Sequence, residues 1–118
     1  MDFRIRDARV EDVPALAAAE RICFSDPWSE AGIGEMIQHE TALRLLAELE
    51  GGWGRLAGYL FARAIGHQAE ILNLAVLPEY RRHGLGGSLL AEATRRLGEG
   101  GVQEVFLEVR ESNQWARA

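Results

Sequence analysis

The chain has 118 residues, 47% apolar and 26% charged, which supports one small domain with a core and argues against disorder. Its 18 acids outnumber 13 arginines, with no lysine, and the formal charge of −5 disfavours nucleic acid as the main partner. A lone cysteine, Cys23, excludes an internal disulfide, and His39, His67 and His83 are scattered without ligand spacing, so no metal is expected.

Phe3 and Ile5 alternate with charged residues and predict a short first strand. Val10, Val13, Leu16 and Ala17 recur at helical spacing, with Asp7 or Asp12 near the start, and predict a helix running to Cys23. Ser25-Asp26-Pro27 breaks it. Ser29 then offers a simple N-cap to a second helix, with Ile33, Met36 and Ile37 on its apolar side. Residues 43–49 and 56–64 read as strands joined through Glu50-Gly51-Gly52-Trp53-Gly54, an antiparallel hairpin. Residues 70–76 form a strand that is apolar on both faces apart from Asn73, as expected deep inside a sheet. Leu85, Leu89, Leu90, Ala93 and Leu97 share one side of a helix that ends near the glycines of residues 98–101. Residues 102–109 give a further strand, and Ser112 caps the beginning of another helix. Strand, helix and strand over residues 71–109 make a parallel crossover beside the antiparallel hairpin. The expected fold class is therefore α/β, a mixed, mostly antiparallel sheet flanked by helices on both faces. No apolar run reaches the length of a bilayer and residues 1–4 do not open a signal peptide, so a cytoplasmic protein with no membrane partner is expected.

The stretch from Asn73 to Ser88 carries the chemistry. A buried strand ends at Pro78, a cationic turn of Arg81, Arg82 and His83 follows, and Gly84 and Gly86 open a helix. Glycines let backbone N–H groups approach an anion without interference from Cβ. The helix start adds unpaired N–H groups and a partial positive charge, which together suit a pyrophosphate. A tight strand-to-helix turn with solvated arginines reads the same spacing equally well. The dinucleotide fingerprint needs a third glycine where Leu89 stands, and a Walker loop needs a lysine, so both nucleotide readings are disfavoured.

At Arg81-Arg82-His83-Gly84-Leu85-Gly86 the sequence resembles the GNAT acetyltransferase superfamily, whose acyl-CoA signature is Gln or Arg, two residues, Gly, one residue, then Gly or Ala. More narrowly it is similar to the ribosomal-protein alanine N-acetyltransferases of the RimI type. That likeness rests on Glu20 and Phe24-Ser25-Asp26-Pro27-Trp28-Ser29-Glu30, on Asn73-Leu74-Ala75-Val76, on the glycine turn, and on Leu107-Glu108-Val109-Arg110-Glu111-Ser112-Asn113. The resemblance implies acetyl-CoA as cosubstrate and a protein N-terminus, that of a ribosomal protein, as acceptor. It assigns the backbone of Leu74, Ala75 and Val76 to the pantetheine arm. It gives the pyrophosphate to backbone groups of Arg82, His83, Gly84, Leu85, Gly86 and Gly87, has Asn113 reach the cofactor, and makes Glu108 the general base. It also implies one GNAT domain over residues 1–118 that lacks the family's C-terminal strands. The family's usual thiolate-protonating tyrosine follows the Ser-Asn element, and Tyr59 and Tyr80 do not match it. The edge of the strand at residues 102–109 is then expected to be open to self-association.

Glu108 also has a reading from chemistry. Strand alternation sets Phe106 and Glu108 on one face, where desolvation would favour the neutral acid and make the carboxylate a better base. A solvated strand-end Glu paired with Arg110 is the bland alternative. An α-amino group, with a pKa of about 7.7–8.0, is roughly a tenth neutral at pH 7, whereas a lysine amine near pKa 10.4 is neutral only to a few parts in ten thousand. A modest base therefore suits an N-terminus better than a lysine. A small-molecule or lysine amine as acceptor, and a CoA-binding module without catalysis, remain rival readings. Cys23 reads as a small hydrophobe, Trp28 and Trp53 as packing or turn residues, Glu20 equally as a surface charge, and His83 as a backbone donor.

Overall fold

The computed structural model describes residues 2–107. Five strands, β1 (Phe3–Asp7), β2 (Ala42–Leu49), β3 (Leu56–Ile65), β4 (Gln68–Val76) and β5 (Glu104–Leu107), form one sheet in chain order. The first four pair antiparallel, and β5 joins β4 in parallel after the crossover helix α3 (Leu85–Glu99). This is the expected mixed, mostly antiparallel α/β sheet.

Side-chain alternation along the strands makes two apolar faces. Leu45, Leu60, Ile71 and Leu74 on one face pack under Leu85, Leu89, Ala93 and Leu97 of α3. Leu46, Tyr59, Phe61 and Ala75 on the other pack under α1 (Val13–Cys23) and α2 (Glu30–Gln38), which contribute Leu16, Ala17, Ile33 and Ile37. Among the described residues no helix is long and apolar enough to cross a membrane.

Of the two acids read near the start of the first helix, Asp12 is the one at its N-cap position. Val10–Asp12 is a 3₁₀ turn and α1 begins at Val13. The cause is Pro14, which has no N–H and whose ring would meet the carbonyl four residues back in a continuous helix. Asp12 does not cap α1 with its side chain. Its carboxylate accepts instead from the Arg9 N–H at 2.7 Å and from the Arg6 guanidinium at 2.8 Å, so the bidentate Arg6 contact holds it below the usual carboxylate range. Ser29 behaves as expected, with its Oγ accepting from the Gly32 N–H at 3.1 Å. In the β3–β4 pairing Phe61 faces Asn73 but Ala62 faces Ile71, so Leu72 is the extra residue of a bulge.

Close approach between β3 and β4 depends on Gly58. A Cβ there would lie 2.8 Å from the Ala75 carbonyl oxygen and 3.4 Å from methyl carbons of Leu85 and Leu89. Gly58→Ala is therefore expected to destabilise the fold by about 2 kcal/mol through overpacking. A urea titration checks this. An unchanged midpoint would mean that β3 and β4 can separate at no cost.

β5 sits at the sheet margin opposite β1, with Val105, Phe106 and Leu107 exposed.

Candidate functional site

Past Val76 the chain keeps hold of β3 for one more residue, through the Leu77 N–H donating to the Ala57 carbonyl at 2.9 Å. Pro78 then opens a single 3₁₀ turn, Pro78–Tyr80, whose buried Tyr80 stands edge-on to Phe3 at 5.9 Å. Two residues reverse the path: Arg82 at φ +70° and Gly84 at φ +75° both adopt the left-handed region. Glycine takes that conformation freely. Arg82 does so at a cost, of the kind found where surrounding structure over-determines a turn. Arg81 supplies one such constraint, since its Nε–H donates to the Val76 carbonyl at 2.9 Å and straps the turn to the strand end.

The turn delivers the start of α3. Gly84 is its N-cap residue and carries no side chain, so the first-turn amides of Leu85, Gly86 and Gly87 receive no side-chain cap, and no acid stands in that turn. Leu85 is buried and anchors the helix, while Gly84 and Gly87 face outward. A Cβ added at either glycine would meet no atom within 4 Å. Donor amides, a helix N-terminus and arginines beside open space fit a diphosphate.

Leu74, Ala75 and Val76 lead straight into this turn. On one side they face Leu60, Tyr59 and Gly58 of β3. The described β4–β5 register runs from Gln68 opposite Glu104 to Ile71 opposite Leu107, so these three residues lie beyond it. The structure thus brings residues 74–76 and residues 82–87 into one continuous path. Glu108 and Asn113 lie outside the described residues, as do Arg110 and Ser112.

Two other concavities suit a diphosphate less well. One of about 290 Å3 is lined by Phe3, His83, Leu85 and Ser88 but carries Asp2 and Glu50, which would repel an anion. Another of about 340 Å3, lined by Arg63, Gln68, Ala69 and Phe106, sits at the far end of β4 from the glycine turn. The His83 ring leans on Phe3 at 6.2 Å.

The residue that the sequence left undecided is Glu20, which the fold buries to 1% exposure. Its carboxylate accepts from the Trp28 N–H at 2.8 Å, the Tyr59 hydroxyl at 2.5 Å and Asn73 Nδ2 at 2.6 Å. The clue was its position four residues after Leu16, on the apolar stripe of α1, together with a lone Asn in a buried strand. Cys23 is only half-buried; burial pushes its thiol up, and its Sγ lies 3.9 Å from the Val76 carbonyl oxygen. Trp28 stacks on Phe61 at 5.9 Å, whereas Trp53 is a fully exposed turn residue at φ +59°.

Comparison with known proteins shows the family and the fold. Residues 13–118 match the family model described as Acetyltransferase (GNAT) family. The chain is 32% identical over 114 residues to the ribosomal protein bS18-alanine N-acetyltransferase of Escherichia coli K12, covering 97% of this chain and 74% of that one. The crystal structure of the ribosomal-protein-S18-alanine N-acetyltransferase from Escherichia coli superposes with a TM-score of 0.85 at 31% identity, over 98% of this chain and 72% of that one. The PaiA N-acetyltransferase from Thermoplasma acidophilum, solved in complex with coenzyme A, shares the fold at a TM-score of 0.86 and 24% identity, over 99% and 85% of the two chains. The chain belongs to the GNAT family of N-acetyltransferases, whose cosubstrate is acetyl-CoA.

Proposed function

We propose that the chain transfers the acetyl group of acetyl-CoA to the N-terminal α-amino group of a protein, namely a ribosomal protein. The observation that carries this reading is the 32% identity, over nearly the whole chain, to an enzyme named for that reaction. In the reaction the amine nitrogen bonds to the thioester carbonyl carbon, the C–S bond breaks, and coenzyme A leaves as the thiolate. The amine loses one proton on the way. We assign that proton to Glu108, the pantetheine arm to the backbone of Leu74, Ala75 and Val76, and the pyrophosphate to the amides of residues 82–87, with Asn113 as a further contact.

The test compares three acceptors: a peptide beginning with the N-terminal alanine of a ribosomal protein, the same peptide N-blocked and carrying a lysine, and a small polyamine. The free N-terminus is expected to lead in kcat/KM by about two orders of magnitude, the ratio set by the neutral fractions of an α-amine and a lysine amine at pH 7. Equal or faster turnover of the lysine or the polyamine would move the acceptor assignment to those amines.

A further inference from the structure

We propose that Glu20 is a positioning residue for acetyl transfer: its buried carboxylate fixes the turn after α1 against β3 and β4 where the cofactor strand begins. The inference rests on the acetyl-transfer site proposed at residues 74–76 and adds a determinant of how the acceptor amine is set against it.

Three donors from three separate segments converge on this one side chain. Trp28 belongs to the turn between α1 and α2, Tyr59 to β3, and Asn73 to β4. Asn73 follows the bulged Leu72 and immediately precedes Leu74, and its register partner Phe61 carries the stacked Trp28 ring. The same α1 end puts Cys23 beside the Val76 carbonyl and Phe24 into the core against the Ala75 face. Ser25, Asp26 and Pro27, between Phe24 and Trp28, are exposed. Contacts that meet at Glu20 therefore tie this exposed turn to the strand that leads into residues 74–76.

Stability alone does not call for such a group. A buried carboxylate costs desolvation, and an apolar side chain of the same size often replaces buried charge without loss. What an apolar side chain cannot do is accept hydrogen bonds from three directions, which fixes the three segments at one mutual geometry. Reacting atoms must be held about 3–3.5 Å apart, and a misplacement of about 1 Å can cost a hundredfold in rate.

Glu20→Gln keeps the size of the side chain but replaces one acceptor oxygen with NH2, which either faces the Trp28 N–H, donor against donor, or makes Tyr59 and Asn73 turn round to accept. Steady-state kinetics on the full chain should then show acceptor kcat/KM falling about tenfold or more while the acetyl-CoA dissociation constant stays within about threefold. Tyr59→Phe keeps the ring packing and removes one donor, so it guards against a misfolded Glu20 variant. It should shift the acceptor term in the same direction by a smaller factor. With a polyamine as acceptor the same split is expected, so failure of the peptide assignment and failure of this inference are separate results. An acceptor kcat/KM within about twofold of wild type in both folded variants would overturn the inference. So would a parallel loss of acceptor turnover and cofactor affinity, which marks a merely structural role.

Discussion

Glu108→Gln is expected to lower kcat by about 10²–10⁴-fold, the usual contribution of a general base, while leaving acetyl-CoA binding unchanged. The described part of β5 ends at Leu107. Leu107 lies opposite Ile71 in the parallel register, and residues 74–76 continue past that point toward the glycine turn. The substitution keeps shape and removes only the ability to take a proton. The deficit should therefore shrink as pH rises through the α-amine pKa of about 7.7–8.0, because the acceptor then loses its proton unaided. Single-turnover rates between pH 6.5 and 9 measure this. A variant as fast as wild type at pH 7 would remove Glu108 from the catalytic assignment and leave deprotonation to solvent.

Much of the fold could be read from periodicity because burial enforces it. The Leu85, Leu89, Ala93 and Leu97 stripe of α3 presents one face to a core, and the apolar segments read as β2 and β3 are buried on both faces. The start of α1 was left open between Asp7 and Asp12 because the spacing of Val10 and Val13 continues through Pro14, and it is the Asp12 start that the backbone chemistry of Pro14 selects. The glycine turn was legible as a candidate because it combines a local motif with a strand-to-helix boundary. Arg81 was read as part of a cationic turn, but in the structure it reaches back to the Val76 carbonyl. Glu20 was undecidable for a different reason. Three of its donors lie 8, 39 and 53 residues away in sequence, so the apolar stripe of α1 could hint that Glu20 is buried but no local pattern could name what it accepts from.

Gly87→Glu should weaken acetyl-CoA binding about a hundredfold, or ~2.7 kcal/mol, without lowering stability. The choice of glycine matters. Gly84 sits at φ +75°, where any side chain strains the backbone, and Gly86 is buried in the first turn. Gly87 is helical and exposed, and a Cβ there meets nothing within 4 Å. Glutamate is also a better helix former than glycine by about 0.5–1 kcal/mol, and an acid in the first turn opposes the helix dipole favourably. Folding is therefore pushed toward greater stability while the new carboxylate competes for the amides proposed to hold the pyrophosphate. Opposite signs in the two readouts separate a binding effect from an unfolding one. Gly87→Gln isolates the charge: it should retain most of the affinity, and raising the salt concentration should narrow the gap between the Glu and Gln variants by screening. Calorimetric titration with acetyl-CoA, alongside a thermal melt, gives both quantities. A stabilised Glu variant with wild-type affinity would show that the diphosphate does not bind at the start of α3.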